Sequence, residues 1–231
     1  MESLRIGSII VEIFMKGRDF LGKYGNRRKV RELEMAKKRN HKVMITDEAI
    51  RKVPRVQYKN IPESEYSIIQ ELAKNVLRIS KRENNSNEVA LTYSMDSTEC
   101  IQNEEEYIGV ALGGEHEVDP LSSTVAYHLM SSARDCIVIV LHNHPSLSDF
   151  SLSDIKFLLQ YASMKMLVVI TNLGSVSYLV KGRRYSYEMA VKLFNESVNL
   201  SNKAKNLKGL QKATDNFLKN CYRVGIDYDN R

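Results

Sequence analysis

The chain of 231 residues has few cysteines and no long apolar run. Its three cysteines, Cys100, Cys136 and Cys221, are far apart and odd in number, which favours reduced thiols over a disulfide framework. No apolar stretch reaches the roughly 18 residues that a membrane-spanning helix needs. The short N-terminal apolar run lies between Glu2 and Glu12, which argues against a signal peptide. We therefore expect a cytoplasmic protein with no membrane-spanning segment and no membrane partner.

Familiar nucleic-acid and nucleotide motifs are also absent from the sequence, since no zinc-finger, P-loop or RNP-type pattern occurs. Charge is uneven along the chain. Residues 1–60 carry 16 basic against 7 acidic side chains (net +9), residues 61–181 carry 8 against 16 (−8), and residues 182–231 carry 10 against 5 (+5). Basic flanks can bind nucleic acid through its phosphates or dock on an acidic surface. Nucleic acid and a second copy of the chain are therefore candidate partners.

The charge pattern and the prolines divide the chain into three parts. We predict a basic N-terminal extension over 1–60 with a basic helix at 27–39, a compact domain over 61–181, and a helical C-terminal extension over 182–231 interrupted at Gly209. The compact domain is predicted to be an α/β sandwich with a mixed sheet, because helical and strand-like segments alternate along it. Its predicted helices start near residues 63, 119 and 151, and its predicted strands cover 88–96, 107–112, 136–141, 166–171 and 175–180.

The most informative motif is His-Asn-His-Pro at residues 142–145, directly after the β-branched run 136–141. That run is typical of a buried strand. Two histidines at i and i+2 beyond a strand can aim their imidazoles at one point, and the proline forces the chain to turn away. A Ser-x-x-Asp step follows at residues 151–154. Two imidazoles and one carboxylate are the ligand set of a catalytic zinc site whose fourth position is left to water.

These elements resemble the motif of the JAB/MPN (JAMM) metalloproteases, in which a glutamate is followed far downstream by His-x-His and then by Ser-x-x-Asp. The His-Asn-His-Pro-Ser variant is similar to that of the RadC-like branch, and the resemblance covers roughly residues 60–181. It implies a JAB/MPN-like (cytidine-deaminase-like) sandwich in which His142, His144 and Asp154 bind Zn²⁺ and Ser151 supports the tetrahedral intermediate. The chain departs from the family in having six residues, rather than seven, between His144 and Ser151.

Two aspartates compete as the third ligand, because Ser-Leu-Ser-Asp occurs at residues 146–149 and again at 151–154. We favour Asp154 over Asp149, since Asp154 lies at the start of a predicted amphipathic helix with Ser151 as its N-cap. Both side chains would then be held rigidly. A plain capping pair that binds no metal is the alternative interpretation of Ser151 and Asp154.

A hydrolytic zinc site also needs a general base that takes a proton from the bound water. In the resembling family this glutamate starts the first core strand, which implies Glu88, 54 residues before His142. The acidic run Glu104–Glu106 is the rival base, although we favour a solvated strand edge or turn for it. The implied reaction is hydrolysis of an amide or isopeptide bond. In it, Glu88 passes the proton to the leaving nitrogen and Ser151 donates a hydrogen bond to the oxyanion.

The resemblance thus implies a zinc metallopeptidase whose substrate is a protein or peptide, small-protein conjugates included. The alternative is a RadC-like accessory protein that binds DNA through its basic flanks. A pure interaction module is a third interpretation, which the complete set of metal-site residue types disfavours.

Overall fold

A computed structural model describes residues 42–95, 108–132, 136–202 and 207–231. Its helices are α1 (Asp47–Lys52), α2 (Glu65–Glu83), α3 (Thr124–Ser132), α4 (Leu152–Gln160), α5 (Tyr187–Asn202) and α6 (Leu207–Asn220). Its strands are β1 (Val89–Ser94), β2 (Gly109–Leu112), β3 (Val138–His144), β4 (Met164–Thr171), β5 (Val176–Lys181) and β6 (Ile226–Asn230). In the described part of the chain, no helix is both long and apolar enough to cross a membrane. The predicted basic helix at 27–39, Cys100 and the Glu104–Glu106 run lie outside the described residues.

The six strands form one sheet in the order β2-β1-β3-β4-β5-β6. β3 and β4 run parallel, and every other neighbouring pair is antiparallel. The predicted α/β class with a mixed sheet is therefore confirmed. A parallel pair needs a crossover connection, which α4 provides between β3 and β4. The connection places the end of β3 beside the start of α4.

Side chains on β3 alternate between two hydrophobic cores. Ile139 and Leu141 belong to the first core, to which α1, α2 and the segment before α2 contribute. Val138 and Val140 belong to the second core, to which α4, α5 and α6 contribute. β3 is buried along its whole length. A polar side chain on this strand must therefore find its partners inside the protein.

The segments on both sides of the predicted compact domain contribute to these cores. Ile45, Val53 and Tyr58, which precede α2, are buried in the first core. At the other end of the chain, β6 extends the sheet by pairing with β5. We predicted only helices in this tail and missed β6, because its Ile-Asp-Tyr-Asp-Asn sequence has little strand propensity and depends on the edge of β5 for pairing.

The predicted break at Gly209 is wrong, because the residue lies inside α6. One glycine in a helix lowers its stability by only about 1 kcal/mol relative to alanine, so the helix can continue through it.

Candidate metal centre

The last residues of β3 carry the two motif histidines. The predicted strand ended at Leu141, whereas β3 continues to His144 because its parallel pairing with β4 extends to the His144–Thr171 pair. His142 and His144 are two residues apart on one strand, so their side chains project from the same face. Their Nε2 atoms are 3.0 Å apart, and both residues are buried. The strand therefore holds the two imidazoles side by side.

Asp154 reaches the histidines from the first turn of α4. Ser151 is the N-cap of this helix, and its Oγ accepts a hydrogen bond from the Asp154 backbone N–H at 3.2 Å. In return, Asp154 Oδ2 accepts a hydrogen bond from the Ser151 backbone N–H at 2.6 Å, which completes a capping box. The same carboxylate lies 3.3 Å from His142 Nε2 through Oδ1 and 3.5 Å from His144 Nε2 through Oδ2. The capping box is therefore observed, and the same geometry leaves the Asp154 carboxylate facing both histidines, where it could also serve as a ligand.

These three residues have the geometry of a metal-binding group. One ligand atom from each of His142, His144 and Asp154 lies within 4.8 Å of the other two. Tetrahedral coordination at zinc-ligand distances of about 2.0–2.1 Å would put neighbouring ligand atoms about 3.3–3.4 Å apart. The observed separations of 3.0, 3.3 and 3.5 Å bracket that value. The donor set and its spacing therefore fit an ion of this size with nitrogen and oxygen ligands.

Hydrogen bonds and nearby charges determine the tautomer of His144 and the ionisation of His142 and Asp154. His144 Nδ1 lies 3.0 Å from the Ser148 carbonyl oxygen; donation from Nδ1–H to this oxygen leaves Nε2 as the lone-pair donor on the site side. Burial opposes protonation of His142, but the carboxylates of Asp154 and Glu88 outweigh it and raise the pKa of His142. Burial also opposes ionisation of Asp154, yet the two histidines and Ser151 hold the pKa of Asp154 well below its usual range. The site thus contains an ionised carboxylate facing two imidazoles.

Glu88 lies directly before β1 and faces the same side of the sheet. The register of β1 against β3 pairs Ala90 with His142. Glu88 is two residues before Ala90, so its side chain projects to the face that carries the histidines. The residue is 7% exposed, and its backbone is fixed by hydrogen bonds with Gly113 and Gly114. After burial, which lowers it, and Asp154, which raises it, the Glu88 carboxylate also raises the pKa of His142, in agreement with a position on the histidine face.

The rival ligand Asp149 points elsewhere. Its Oδ2 accepts hydrogen bonds from the Tyr228 hydroxyl and from Asn230 Nδ2, and its Oδ1 accepts one from the Phe150 backbone N–H. These contacts tie Asp149 to β6. The group that could hold a metal contains Asp154 instead. The preference for Asp154 over Asp149 thus agrees with the geometry.

Asn143, the residue between the two histidines, was not among the residues predicted to be functional. Asn143 is fully buried on the opposite face of β3, where its Oδ1 accepts a hydrogen bond from the Val89 backbone N–H at 2.8 Å. Its Nδ2 donates to the Asn87 carbonyl oxygen at 3.1 Å and to Asn172 Oδ1 at 2.8 Å. The side chain therefore joins the start of β1, beside Glu88, to the strand that carries the histidines.

Asn172, directly after β4, completes this buried amide pair. Its Nδ2 donates to the Val43 carbonyl oxygen at 2.7 Å and to the Ser86 carbonyl oxygen at 3.0 Å. Its backbone N–H donates to the His144 carbonyl oxygen at 3.1 Å. One sequence signal could have revealed the pair: each asparagine comes two residues after the last apolar residue of a strand-like run, Leu141 and Ile170.

No protein-family model, no curated protein and no solved structure matches this chain. The chemistry that this site can perform therefore has to be inferred from its own residues.

Proposed function

We propose that the protein is a zinc-dependent metallohydrolase that cleaves amide or isopeptide bonds, with a JAB/MPN-like domain of the RadC-like type. The observation that carries the proposal is the convergence of His142, His144 and Asp154, with Glu88 on the same face of the sheet. A His-x-His strand followed by a Ser-x-x-Asp helix start is the arrangement that the family resemblance implies. The substrate class, a protein or peptide, rests on that analogy.

In this proposal each residue of the site has a separate task. His142, His144 and Asp154 hold the ion, which when bound supplies Lewis-acid activation of a water molecule. Glu88 accepts a proton from the attacking water at its carboxylate and later delivers it to the leaving nitrogen. Ser151 already accepts the Asp154 N–H with its oxygen, but a serine hydroxyl also has a proton to donate. That proton can stabilise the developing oxyanion.

Zinc stoichiometry tests the proposal at its first step. The full-length protein, the His144→Ala variant and the His116→Ala variant are purified, and their zinc content is measured by elemental analysis. His116 is a suitable control because it lies at the surface beside Glu115. We expect one zinc ion per chain in the wild type and in His116→Ala, and none in His144→Ala. Zinc content that is unchanged by His144→Ala would contradict the proposed site.

A second candidate function is that of a DNA-associated accessory protein, which the charge distribution favours. The flanking segments 1–60 and 182–231 carry net charges of +9 (16 basic, 7 acidic) and +5 (10 basic, 5 acidic). Binding through phosphates releases counterions, so the affinity for duplex DNA should fall steeply and log-linearly with salt concentration. Fluorescence anisotropy with a labelled duplex between 50 and 200 mM salt, roughly the range over which such contacts weaken, measures this slope. DNA affinity that is absent or independent of salt would refute the second candidate.

A further inference from the structure

A groove of about 240 Å³ borders the strand next to the candidate metal ligands. It lies between the loop after β3, the connection between β4 and β5, and β6, and it is lined by two leucines, Leu147 and Leu173, and by five polar residues, Asp149 and Thr171 among them. Thr171 is the register partner of His144 in the parallel β3–β4 pair. The groove therefore begins one strand away from a proposed metal ligand, on the sheet face that carries the site.

Two leucines give the groove apolar walls that are open to solvent. Leu147 is 60% exposed and Leu173 is 48% exposed, although both are large apolar side chains. Single exposed leucines are common on protein surfaces, but these two line one groove, so together they offer apolar contact area to a ligand bound in it. The methylene groups of an extended side chain could bury against them.

Asp149 adds a negative charge to the same groove. Its hydrogen-bond donors, the Tyr228 hydroxyl, Asn230 Nδ2 and the Phe150 backbone N–H, are all neutral groups. In the part of the chain that the structure describes, no ion pair joins Asp149 to a lysine or an arginine. An ionised carboxylate has about four acceptor positions, so these three donors leave it able to accept another hydrogen bond. The groove thus combines apolar walls with a carboxylate that lacks a cationic partner among the described residues.

We propose that this groove is a substrate subsite for a lysine or arginine side chain next to the cleaved bond. The alkyl part of the side chain packs between Leu147 and Leu173, and its cationic end donates to Asp149. The acidic segment 61–181, with 16 acidic and 8 basic side chains, attracts basic peptides over a longer range. The inference deepens the proposed function and rests on it, because the groove is assigned to the substrate of that same site.

Binding of small peptides tests the subsite without requiring hydrolysis. Acetyl-Gly-Lys-Gly-amide is titrated into the full-length, zinc-loaded Glu88→Gln protein, which should leave the peptide intact, and dissociation constants are measured by NMR. Peptides with norleucine or glutamate in place of lysine give the comparison. We expect the lysine peptide to bind roughly tenfold more tightly than the norleucine peptide, because a charge-assisted hydrogen bond is added. The glutamate peptide should bind most weakly.

The variants separate the charge from the apolar walls. Asp149→Asn, made in the Glu88→Gln protein, keeps the oxygen that accepts from Tyr228 but removes the charge, so lysine and norleucine peptides should bind equally. Asp215→Asn is the matched control: Asp215 lies in a neighbouring groove that Asp149 and Lys219 also line, but that none of Leu147, Thr171 and Leu173 lines. It should preserve the preference for lysine. Leu147→Ser should weaken the binding of both peptides alike, and an unchanged amide spectrum checks the fold of each variant.

Equal binding of the lysine and norleucine peptides, a preference that survives Asp149→Asn, or no binding at all would overturn the subsite. The hydrolase proposal can fail independently. If the wild-type zinc protein hydrolyses peptides without regard to a basic residue, the subsite is wrong and the hydrolase stands. If the lysine preference depends on Asp149 but no peptide is hydrolysed, the groove binds basic side chains without being a substrate subsite, and the hydrolase proposal is wrong.

Discussion

The buried polar side chains on the two faces of β3 differ in how they are paired. On one face, Asn143 hydrogen-bonds to Val89, Asn87 and Asn172, so its amide is satisfied by the protein alone. On the other face, His142 and His144 bring two Nε2 atoms within 3.0 Å of each other beside a carboxylate. Alternate residues of one strand therefore point to two different polar environments. On the face of β3 that carries Asn143, the amide finds its hydrogen-bond partners within the protein. On the face that carries His142 and His144 (the imidazole face), the side chains form the donor set of a cation site.

Removing the proposed base should produce the largest effect and should leave the metal ligands intact. We expect Glu88→Gln to retain zinc but to lower the rate of peptide hydrolysis by about 10²–10⁴, because the amide cannot take up the proton of the attacking water. Zinc content and turnover of a peptide library are measured on the same sample. Glu115→Gln, which changes an exposed acid, serves as the control. Turnover at the wild-type level in Glu88→Gln would show that another group is the base.

Removing the amide of Asn143 should have the next largest effect, on stability rather than on chemistry. Asn143→Leu leaves the buried backbone N–H of Val89 and the side-chain oxygen Oδ1 of Asn172 without their partner. The loss should lower the free energy of unfolding by about 3 kcal/mol. Urea denaturation of the zinc-free protein measures this change. Asn195→Leu, at an exposed position of α5, should change stability by less than about 0.5 kcal/mol. A loss in Asn143→Leu no larger than in this control would contradict the structural assignment.

The candidate site could be predicted from the sequence because local rules determine its parts. Alternation along a strand sets two histidines at i and i+2 on one face. The first turn of a capped helix sets Ser151 and Asp154 together, as the observed capping box shows. Both rules hold whatever surrounds the segments. For His142, His144 and Asp154 the remaining tertiary quantity is the distance between β3 and α4, which the parallel β3–β4 connection fixes. Glu88 follows from no local rule: the family resemblance implied it, and its place depends on the pairing of β1 with β3.

The features that were missed depend on partners far away in the sequence. β6 becomes a strand only because β5 lies beside it, 45 residues earlier at the Lys181–Ile226 pair. The bonds of Asn143 reach Val89 and Asn172, 54 and 29 residues away. The extension of β3 to His144 likewise requires Thr171 on the neighbouring strand. None of these pairings follows from propensity or periodicity within one segment, so the sequence indicated the three clustered side chains more completely than the contacts that hold their strands together.

The smallest effect on stability should come from Ser151, whose hydroxyl caps the helix that carries Asp154. Ser151→Ala removes the acceptor for the Asp154 N–H and should lower the free energy of unfolding by about 1 kcal/mol, whereas Ser151→Thr should restore most of it. The Ser151 backbone N–H still donates to Asp154 Oδ2 in both variants, so the carboxylate stays oriented and zinc should be retained. Urea denaturation and zinc titration measure the two quantities, with exposed Ser153→Ala as the control. Loss of zinc together with the cap would mean that the Ser151 hydroxyl, rather than its backbone, holds Asp154 against the histidines.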